Sequence, residues 1–118
     1  TAVPGIASRT RLHPYPLVGA ISPWNFPLTL ALIDAVPALA AGCAALVKPS
    51  EVTPRFIRPL TATVPAEMAL ELIEGDGATG AAMIERVDYV CFTGSVVTGR
   101  NVGEAAARAF IPASLELG

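Results

Sequence analysis

Short apolar runs alternate with helix-like stretches along most of this 118-residue sequence, and that alternation most constrains its fold. Each run is short enough for a buried strand; the runs are 17–21, 44–47, 70–73, 89–92 and 113–117. Strands that alternate with helices favour a parallel sheet with helices on both faces. We therefore predict a Rossmann-like three-layer α/β domain that binds its ligands at the carboxyl ends of the strands.

Four helices are predicted between these strands, at 27–41, about 54–63, a short stretch ending at 86, and 96–110. Pro37 should kink the first helix, because proline lacks the N–H that continues the hydrogen-bond ladder. Thr53 is the expected N-cap residue of the second helix. Residues 1–16, rich in proline and arginine, form an extended lead-in, and 17–118 form the domain.

Composition and charge exclude several classes of protein. The sequence is 53% hydrophobic and 15% charged, which is unlike a disordered chain. Asp34 and Pro37 interrupt the longest apolar stretch before it reaches the roughly 18 residues that span a bilayer. A net charge of −2 without a basic run gives no reason to expect nucleic acid or an anionic membrane as partner. A cytoplasmic protein without a metal site is expected, with Cys43 and Cys91 as buried thiols.

Polar residues at the predicted strand ends each allow a structural and a functional interpretation. Asn25 is either a turn residue that caps the next helix or a donor to an oxyanion. Lys48 and Glu51 form either an exposed ion pair or a clasp for two ribose hydroxyls. The segment 94–99 is either an ordinary serine-capped turn or a phosphate-binding helix N-terminus. Glu116 either faces solvent or acts as a general base. The second interpretation rests on its apolar strand, because an apolar environment favours the protonated form of a carboxyl group.

The motifs that contain these residues occur together, in order, in one protein family. They are PWNFP at 23–27, KPSE at 48–51, FTGS at 92–95 with Gly99 following, and LELG at 115–118. Together they resemble the signature motifs of NAD(P)-dependent aldehyde dehydrogenases, and the resemblance runs from about Pro16 to the last residue. It implies an α/β cofactor-binding domain of that family.

The resemblance implies oxidation of an aldehyde to a carboxylic acid through a cysteine thiohemiacetal and thioester. Asn25 would stabilise the oxyanion, and Glu116 would be the base that activates the cysteine or the hydrolytic water. A carboxylate at position 51 would repel a 2′-phosphate, so NAD is favoured over NADP. The implied cofactor-binding residues are Ile21, Ser22, Pro23, Trp24, Lys48, Ser50, Glu51, Gly77, Phe92, Gly94, Ser95, Gly99, Leu117 and Gly118.

The sequence also departs from the family pattern. The run 75–80 matches a dinucleotide fingerprint but follows the third strand, so Gly77 is assigned to the adenine side, with a plain turn as the alternative. The stretch between Glu51 and Gly75 is several residues short. Neither Cys43 nor Cys91 matches the family's nucleophile, and the sequence stops before that segment. We therefore expect a fragment, truncated before the catalytic-cysteine domain, that shows no turnover by itself.

Other functions and partners follow from these alternatives. The chain could be a non-catalytic nucleotide-binding or scaffold remnant. A coenzyme A-acylating relative is a third interpretation, against which the base Glu116 argues mildly. The resemblance implies a small-molecule aldehyde as substrate and a homo-dimer or tetramer for the full-length protein, assembled in part through the helix at 96–110.

Overall fold

A computed structural model describes residues 5–118, so the first four residues of the predicted lead-in lie outside the described part. Its centre is one five-stranded parallel sheet in the order β3-β2-β1-β4-β5. The strands are β1 (Leu17–Ile21), β2 (Ala44–Lys48), β3 (Leu70–Leu72), β4 (Tyr89–Gly94) and β5 (Ala113–Leu117). The chain winds outward from β1 to β3 and then returns to place β4 on the other side of β1. The predicted Rossmann-like parallel sheet is confirmed.

Helices cover both faces of this sheet and complete the three layers. They are α1 (Pro27–Leu32), α2 (Ala35–Ala40), α3 (Ile57–Thr61) after a 3₁₀ turn at Pro54–Phe56, α4 (Gly77–Ile84) and α5 (Val96–Arg108). On one side, the α1–α3 face, buried residues of those helices pack on Ala20 and Val47. On the other side, the α4–α5 face, they pack on Val90 and Phe92. In the described part of the chain, no helix has the length and apolar content to cross a membrane.

The predicted helix at 27–41 is wrong as a single element. It is divided into α1 and α2 at Ile33 and Asp34 rather than at the proline. Pro37 has no N–H for the carbonyl of Ile33, four residues earlier, and its ring crowds that carbonyl. The disruption therefore lies one turn before the proline that causes it.

The predicted N-cap position of Thr53 is confirmed, but without the hydrogen bond that its hydroxyl could make. Thr53 does occupy the N-cap position of the 3₁₀ turn, but its side chain makes no capping hydrogen bond. Its Oγ1 is buried without a partner among the described residues. The helix that follows is only five residues long, and Pro59 within it lacks an N–H for the ladder.

The strands nearest the centre end together and define one edge of the sheet. Ile21 of β1 pairs with Lys48 of β2, and β4 continues to Gly94, two residues beyond its predicted end. The winding of the chain reverses between β1 and β4. In open α/β sheets, ligands bind beyond the carboxyl ends of the strands at such a reversal.

Candidate functional site

A cleft of about 380 Å³ opens at this edge, between the carboxyl ends of β1, β2 and β4 and the helices α4 and α5. Most of the residues predicted to bind a cofactor line it. They are Ile21, Ser22, Pro23, Trp24, Lys48, Ser50, Glu51, Gly77, Phe92, Gly94 and Ser95. The structure thus brings together, in one cavity, segments that are distant in the sequence.

Lys48 and Glu51 form an ion pair in this cleft. Lys48 ends β2 with its side chain 5% exposed, and its Nζ lies 2.8 Å from Oε2 of Glu51, whose side chain is 56% exposed. The hydrogen bond from the side chain of Lys48 lowers the pKa of Glu51, and a hydrogen bond from the backbone N–H of Glu51 itself adds to this effect. Glu51 is therefore ionised at neutral pH, and the cleft presents one ammonium and one carboxylate side by side.

The N-terminus of α5 forms one wall of the cleft. Ser95 is the N-cap of this helix, and its Oγ accepts a hydrogen bond of 3.3 Å from the backbone N–H of Thr98. The remaining N–H groups of a first helical turn have no acceptor within the helix, and the helix dipole adds positive potential. Serine carries no negative charge that would neutralise this positive potential. The N-terminus of α5 can therefore still bind an anion.

The N-terminus of α4 differs in charge. Asp76 caps it, with Oδ1 accepting from the backbone N–H groups of Ala78 at 2.9 Å and Thr79 at 3.3 Å. The helix dipole is therefore already matched by a carboxylate, which would repel a phosphate. Gly77, the first residue of α4, lines the cleft without making it a phosphate site.

Gly94 is needed for packing rather than for the tight turn that its position indicates. A Cβ at Gly94 would lie 2.6 Å from Cζ of Phe92, so a side chain there would displace the aromatic ring. Phe92 is buried against the α4–α5 face and also lines the cleft. The glycine thus lets the chain pass close to the ring that forms the floor of the site.

Ser22 is a buried polar residue of the cleft. It is 5% exposed, and its Oγ has no hydrogen-bond partner among the described residues. Its backbone N–H donates to the carbonyl of Lys48 at 3.3 Å, which holds the ends of β1 and β2 together. A buried hydroxyl without a partner is costly, so its presence at a cleft fits a site that receives a polar ligand.

Two helix faces line the cleft, and of their residues only Gly77 was identified from the sequence. Both have the spacing i, i+3, i+4, i+7 of one helix face. They are Gly77, Gly80, Ala81 and Ile84 on α4, and Thr98, Asn101, Val102 and Ala105 on α5. Once a strand-to-helix turn is assigned to a ligand, this spacing is the signal that would have identified them. Val52 and Thr93 also line the cleft, next to assigned motif residues.

Asn25 lies at the turn between β1 and α1, next to Trp24 of the cleft, and is exposed. The N-cap of α1 is Phe26, and that helix end has no side-chain capping bond. The interpretation of Asn25 as a capping residue is therefore wrong. Its amide remains available to a ligand at the rim of the site.

Four other candidates lie outside the residues that line the cleft: Gly99, Glu116, Leu117 and Gly118. Leu117 packs on Gly99, where an added Cβ would collide with it. The backbone N–H of Gly118 donates to the carbonyl of Gly94 at 3.3 Å. Glu116 is exposed on the edge strand β5, as the solvent-facing alternative predicts.

The two cysteines are free thiols, Cys43 buried and Cys91 half-buried. Burial, with a smaller effect from the charge of Asp34, raises the pKa of Cys91 to about 11. The thiolate is the nucleophilic form, so Cys91 is a poor nucleophile at neutral pH. Within residues 5–118, no group of three His, Cys, Asp or Glu side chains is arranged to hold a metal ion.

Comparison with known proteins assigns the family. The model of the aldehyde dehydrogenase family matches residues 1–118. Geranial dehydrogenase of Castellaniella defragrans is 42% identical over 97% of this chain and 25% of its own length. The solved structure of PutA from Anabaena variabilis has 65% identity and a TM-score of 0.84, covering 89% of this chain and 23% of that one.

A second solved structure carries a cofactor. It is a Mycobacterium tuberculosis aldehyde dehydrogenase complexed with NAD+, with 40% identity and a TM-score of 0.77, covering 86% of this chain and 22% of that one. The chain thus spans about a quarter of the length of the relatives it matches. The family match extends over every residue, and both solved structures share the fold. The chain belongs to the aldehyde dehydrogenase family.

Proposed function

We propose that this chain is the nicotinamide-dinucleotide-binding portion of an enzyme that oxidises an aldehyde to a carboxylic acid. The observation that carries the proposal is the cleft at the reversal of the sheet, which contains both the Lys48–Glu51 pair and the neutrally capped N-terminus of α5. A dinucleotide needs a polar clasp for a ribose and an anion site for its pyrophosphate, and the two are adjacent here.

Within this cleft, Lys48 and Glu51 would hold the hydroxyls of the adenosine ribose. The first turn of α5 would hold the pyrophosphate, and Gly77, where a Cβ would meet nothing within 4 Å, leaves room for the adenine. The unpartnered hydroxyl of Ser22 gives a further polar contact. When bound, the nicotinamide group supplies the oxidant for the aldehyde.

NAD is the cofactor that the charges favour. The carboxylate of Glu51 is ionised at neutral pH and would lie beside a 2′-phosphate, which it repels. Relatives include both kinds of enzyme: the Mycobacterium tuberculosis structure contains NAD+, whereas a Mycolicibacterium smegmatis relative, 42% identical over 90% of this chain, has NADP(+) in its name. Lys48 would attract a 2′-phosphate, so NADP is the weaker alternative rather than an excluded one.

Asn25 and Glu116 would perform the chemistry that belongs to this chain. The exposed amide of Asn25 would donate an N–H to the oxygen that becomes negative when a thiolate adds to the aldehyde. Glu116, also exposed, would accept a proton from the attacking group. Neither lines the cleft, which is consistent with a reaction centre beside the cofactor rather than within its binding pocket.

The nucleophile has to be a cysteine other than Cys43 and Cys91. Cys43 is buried, and the raised pKa of Cys91 leaves little thiolate at neutral pH. These 118 residues alone are therefore expected to give no dehydrogenase turnover. Reduction of NAD by the isolated chain in the presence of an aldehyde would contradict this.

The test uses the natural full-length polypeptide that contains these residues. Removal of an oxyanion donor typically lowers kcat by about 100- to 1,000-fold, and we expect N25A to fall in that range. E116Q should lower kcat without weakening NAD binding, because Glu116 lies outside the cleft. Glu67→Gln, which neutralises an exposed carboxylate in the turn before β3, is the matched control and should retain wild-type kcat.

Each result separates the proposal from its alternatives. Tight NAD binding without reduction of NAD by any aldehyde would favour a non-catalytic nucleotide-binding role. Full activity in both N25A and E116Q would refute the assigned chemistry. The assembly into a homo-dimer or tetramer stays a prediction, which light scattering of the full-length protein would measure.

A further inference from the structure

The part of the cleft between α4 and α5 is lined mainly by small and apolar side chains. Two glycines, an alanine and an isoleucine come from α4, and Val102 and Ala105 come from α5. The polar exceptions are Thr98 and Asn101, both on α5. None of these residues is charged, so this part of the cleft suits an uncharged ring rather than an ion. In such pockets, the few polar groups on apolar walls provide orientation and specificity.

Of the two polar residues, Asn101 is the one that the helix cap does not use. The hydroxyl of Thr98 accepts a hydrogen bond of 3.0 Å from Ser95 Oγ, within the cap of α5. Asn101 is exposed, and Glu104, one turn further along the helix, pairs with Arg108 at 3.2 Å. Asparagine is a weaker helix former than alanine, so helix stability does not account for its presence at this position.

The position of Asn101 along α5 corresponds to the base of the bound nucleotide. It lies six residues beyond Ser95, or about 9 Å along a helix that rises about 1.5 Å per residue. The pyrophosphate is proposed at the start of α5, and the adenosine ribose at Lys48 and Glu51. The adenine attached to that ribose then occupies the remaining part of the cleft, where α4 packs beside α5.

The side-chain amide of Asn101 has the groups that match one edge of adenine. Adenine has a donor in its N6 amino group and an acceptor at N7, and an asparagine amide offers an oxygen and an NH₂ group to this pair. Hypoxanthine has an oxygen in place of the N6 amino group, so the same edge has two acceptors. The asparagine amide can then make only one of the two hydrogen bonds, and its oxygen faces another oxygen.

We propose that Asn101 is a specificity-determining residue of the nucleotide site, which recognises adenine through paired hydrogen bonds to N6 and N7. The inference rests on the proposed dinucleotide-binding function and adds selection of the base to it. Binding by the apolar walls alone would differ in one respect, because those walls would hold adenine and hypoxanthine equally well.

The test is calorimetric titration of the natural full-length polypeptide with NAD and with nicotinamide hypoxanthine dinucleotide. The two ligands share their riboses, pyrophosphate and nicotinamide, so the ratio of their Kd values reports on the base alone. A bidentate contact to a base typically discriminates by about 5- to 150-fold. Because Asn101 is exposed, we expect the wild type to favour NAD by about 10-fold, in the lower part of that range.

Two variants assign the preference to one side chain. N101L removes both hydrogen bonds at similar side-chain size, and leucine favours the helix more than asparagine does, so α5 should be preserved. This variant should abolish the preference, mainly by weakening the binding of NAD. The matched control is T98V, which replaces the other polar residue of the same helix face and should keep the wild-type ratio.

Each outcome of these titrations decides the proposal. A wild type that binds both dinucleotides equally, or an N101L variant that keeps the wild-type preference, would overturn the role of Asn101 and leave the proposed function intact. An equal loss of preference in T98V would also overturn it, because the effect would then belong to the whole helix face. Absence of NAD binding by the wild type would overturn both.

Discussion

Replacing Ser95 with aspartate adds one negative charge at the N-terminus of α5 and leaves the cap in place. Serine and aspartate are about equally good N-caps. The single bond that Ser95 Oγ accepts from a backbone N–H, that of Thr98 at 3.3 Å, can be accepted by a carboxylate oxygen. We therefore expect S95D to fold as the wild type does and to bind the pyrophosphate of NAD more weakly.

The magnitude follows from the distance and exposure of the charges. Two unit charges about 4 Å apart interact by about 1 kcal/mol in water and about 4 kcal/mol at an effective dielectric constant of 20. Ser95 is exposed at an open cleft, so the repulsion should lie in the lower half of that range, at about 2 kcal/mol. Such a loss corresponds to roughly a 30-fold rise in the Kd of NAD.

Calorimetric titration of the full-length polypeptide with NAD and with adenosine would measure this effect. Adenosine has no phosphate, so its affinity should be equal in S95D and wild type. The matched control is D76S, which removes a carboxylate from the cap of α4, leaves a serine to accept its hydrogen bonds, and should keep the wild-type Kd for NAD. Unchanged NAD affinity in S95D, or an equal loss for adenosine, would refute the assignment of α5 as the phosphate site.

Two further substitutions test packing and cofactor choice. Gly99→Ala should lower the free energy of unfolding by about 1–3 kcal/mol, because the new Cβ would collide with Leu117. Urea unfolding would measure it against Gly77→Ala, where a Cβ meets nothing within 4 Å; equal stability of the two variants would show that Leu117 simply moves aside. Glu51→Gln should narrow the preference for NAD over NADP by about 10-fold, or roughly 1.4 kcal/mol. The ratio of the Kd values for NADP and NAD would measure this. If this ratio is the same in Glu51→Gln as in the control Glu67→Gln, the charge at position 51 has no role in the choice of cofactor.

The strands could be predicted from the sequence because chain-breaking residues bound them. Leu17–Ile21 is preceded by Pro16 and followed within two residues by Pro23, and the structure gives β1 the same bounds. Where no such residue is present, the hydrogen bonds to the neighbouring strand determine where a strand ends. β4 continues to Gly94 because its partner β5 continues to Leu117, and that pairing is a tertiary contact that local pattern does not contain.

The composition of the site could be predicted at the strand ends but, apart from Gly77, not on the helices. Lys48, Glu51 and Ser95 follow apolar runs, and the carboxyl ends of parallel strands meet at one edge, so their convergence is a consequence of topology. Thr98 and Asn101 have no such marker, because helix periodicity alone does not tell which face meets a ligand. The solvent-facing alternative for Glu116 holds because an apolar strand can still lie at the edge of a sheet, where one side lacks a neighbour.

The alternation of side chains along β5 relates the proposed nucleotide site to the proposed base. Leu115 and Leu117 point to the α4–α5 face, where Leu117 packs on Gly99 of the helix that begins at the cleft. Glu116, between them, points to the opposite face, that of Cys91. The sheet therefore separates the proposed clasp for the nucleotide from Glu116. A dinucleotide bound in the cleft as proposed would bring its reactive ring to Glu116 around the carboxyl edge of the sheet, where Asn25 lies exposed. This explains why Asn25 and Glu116 are absent from the lining of the cleft even though the proposed reaction requires both.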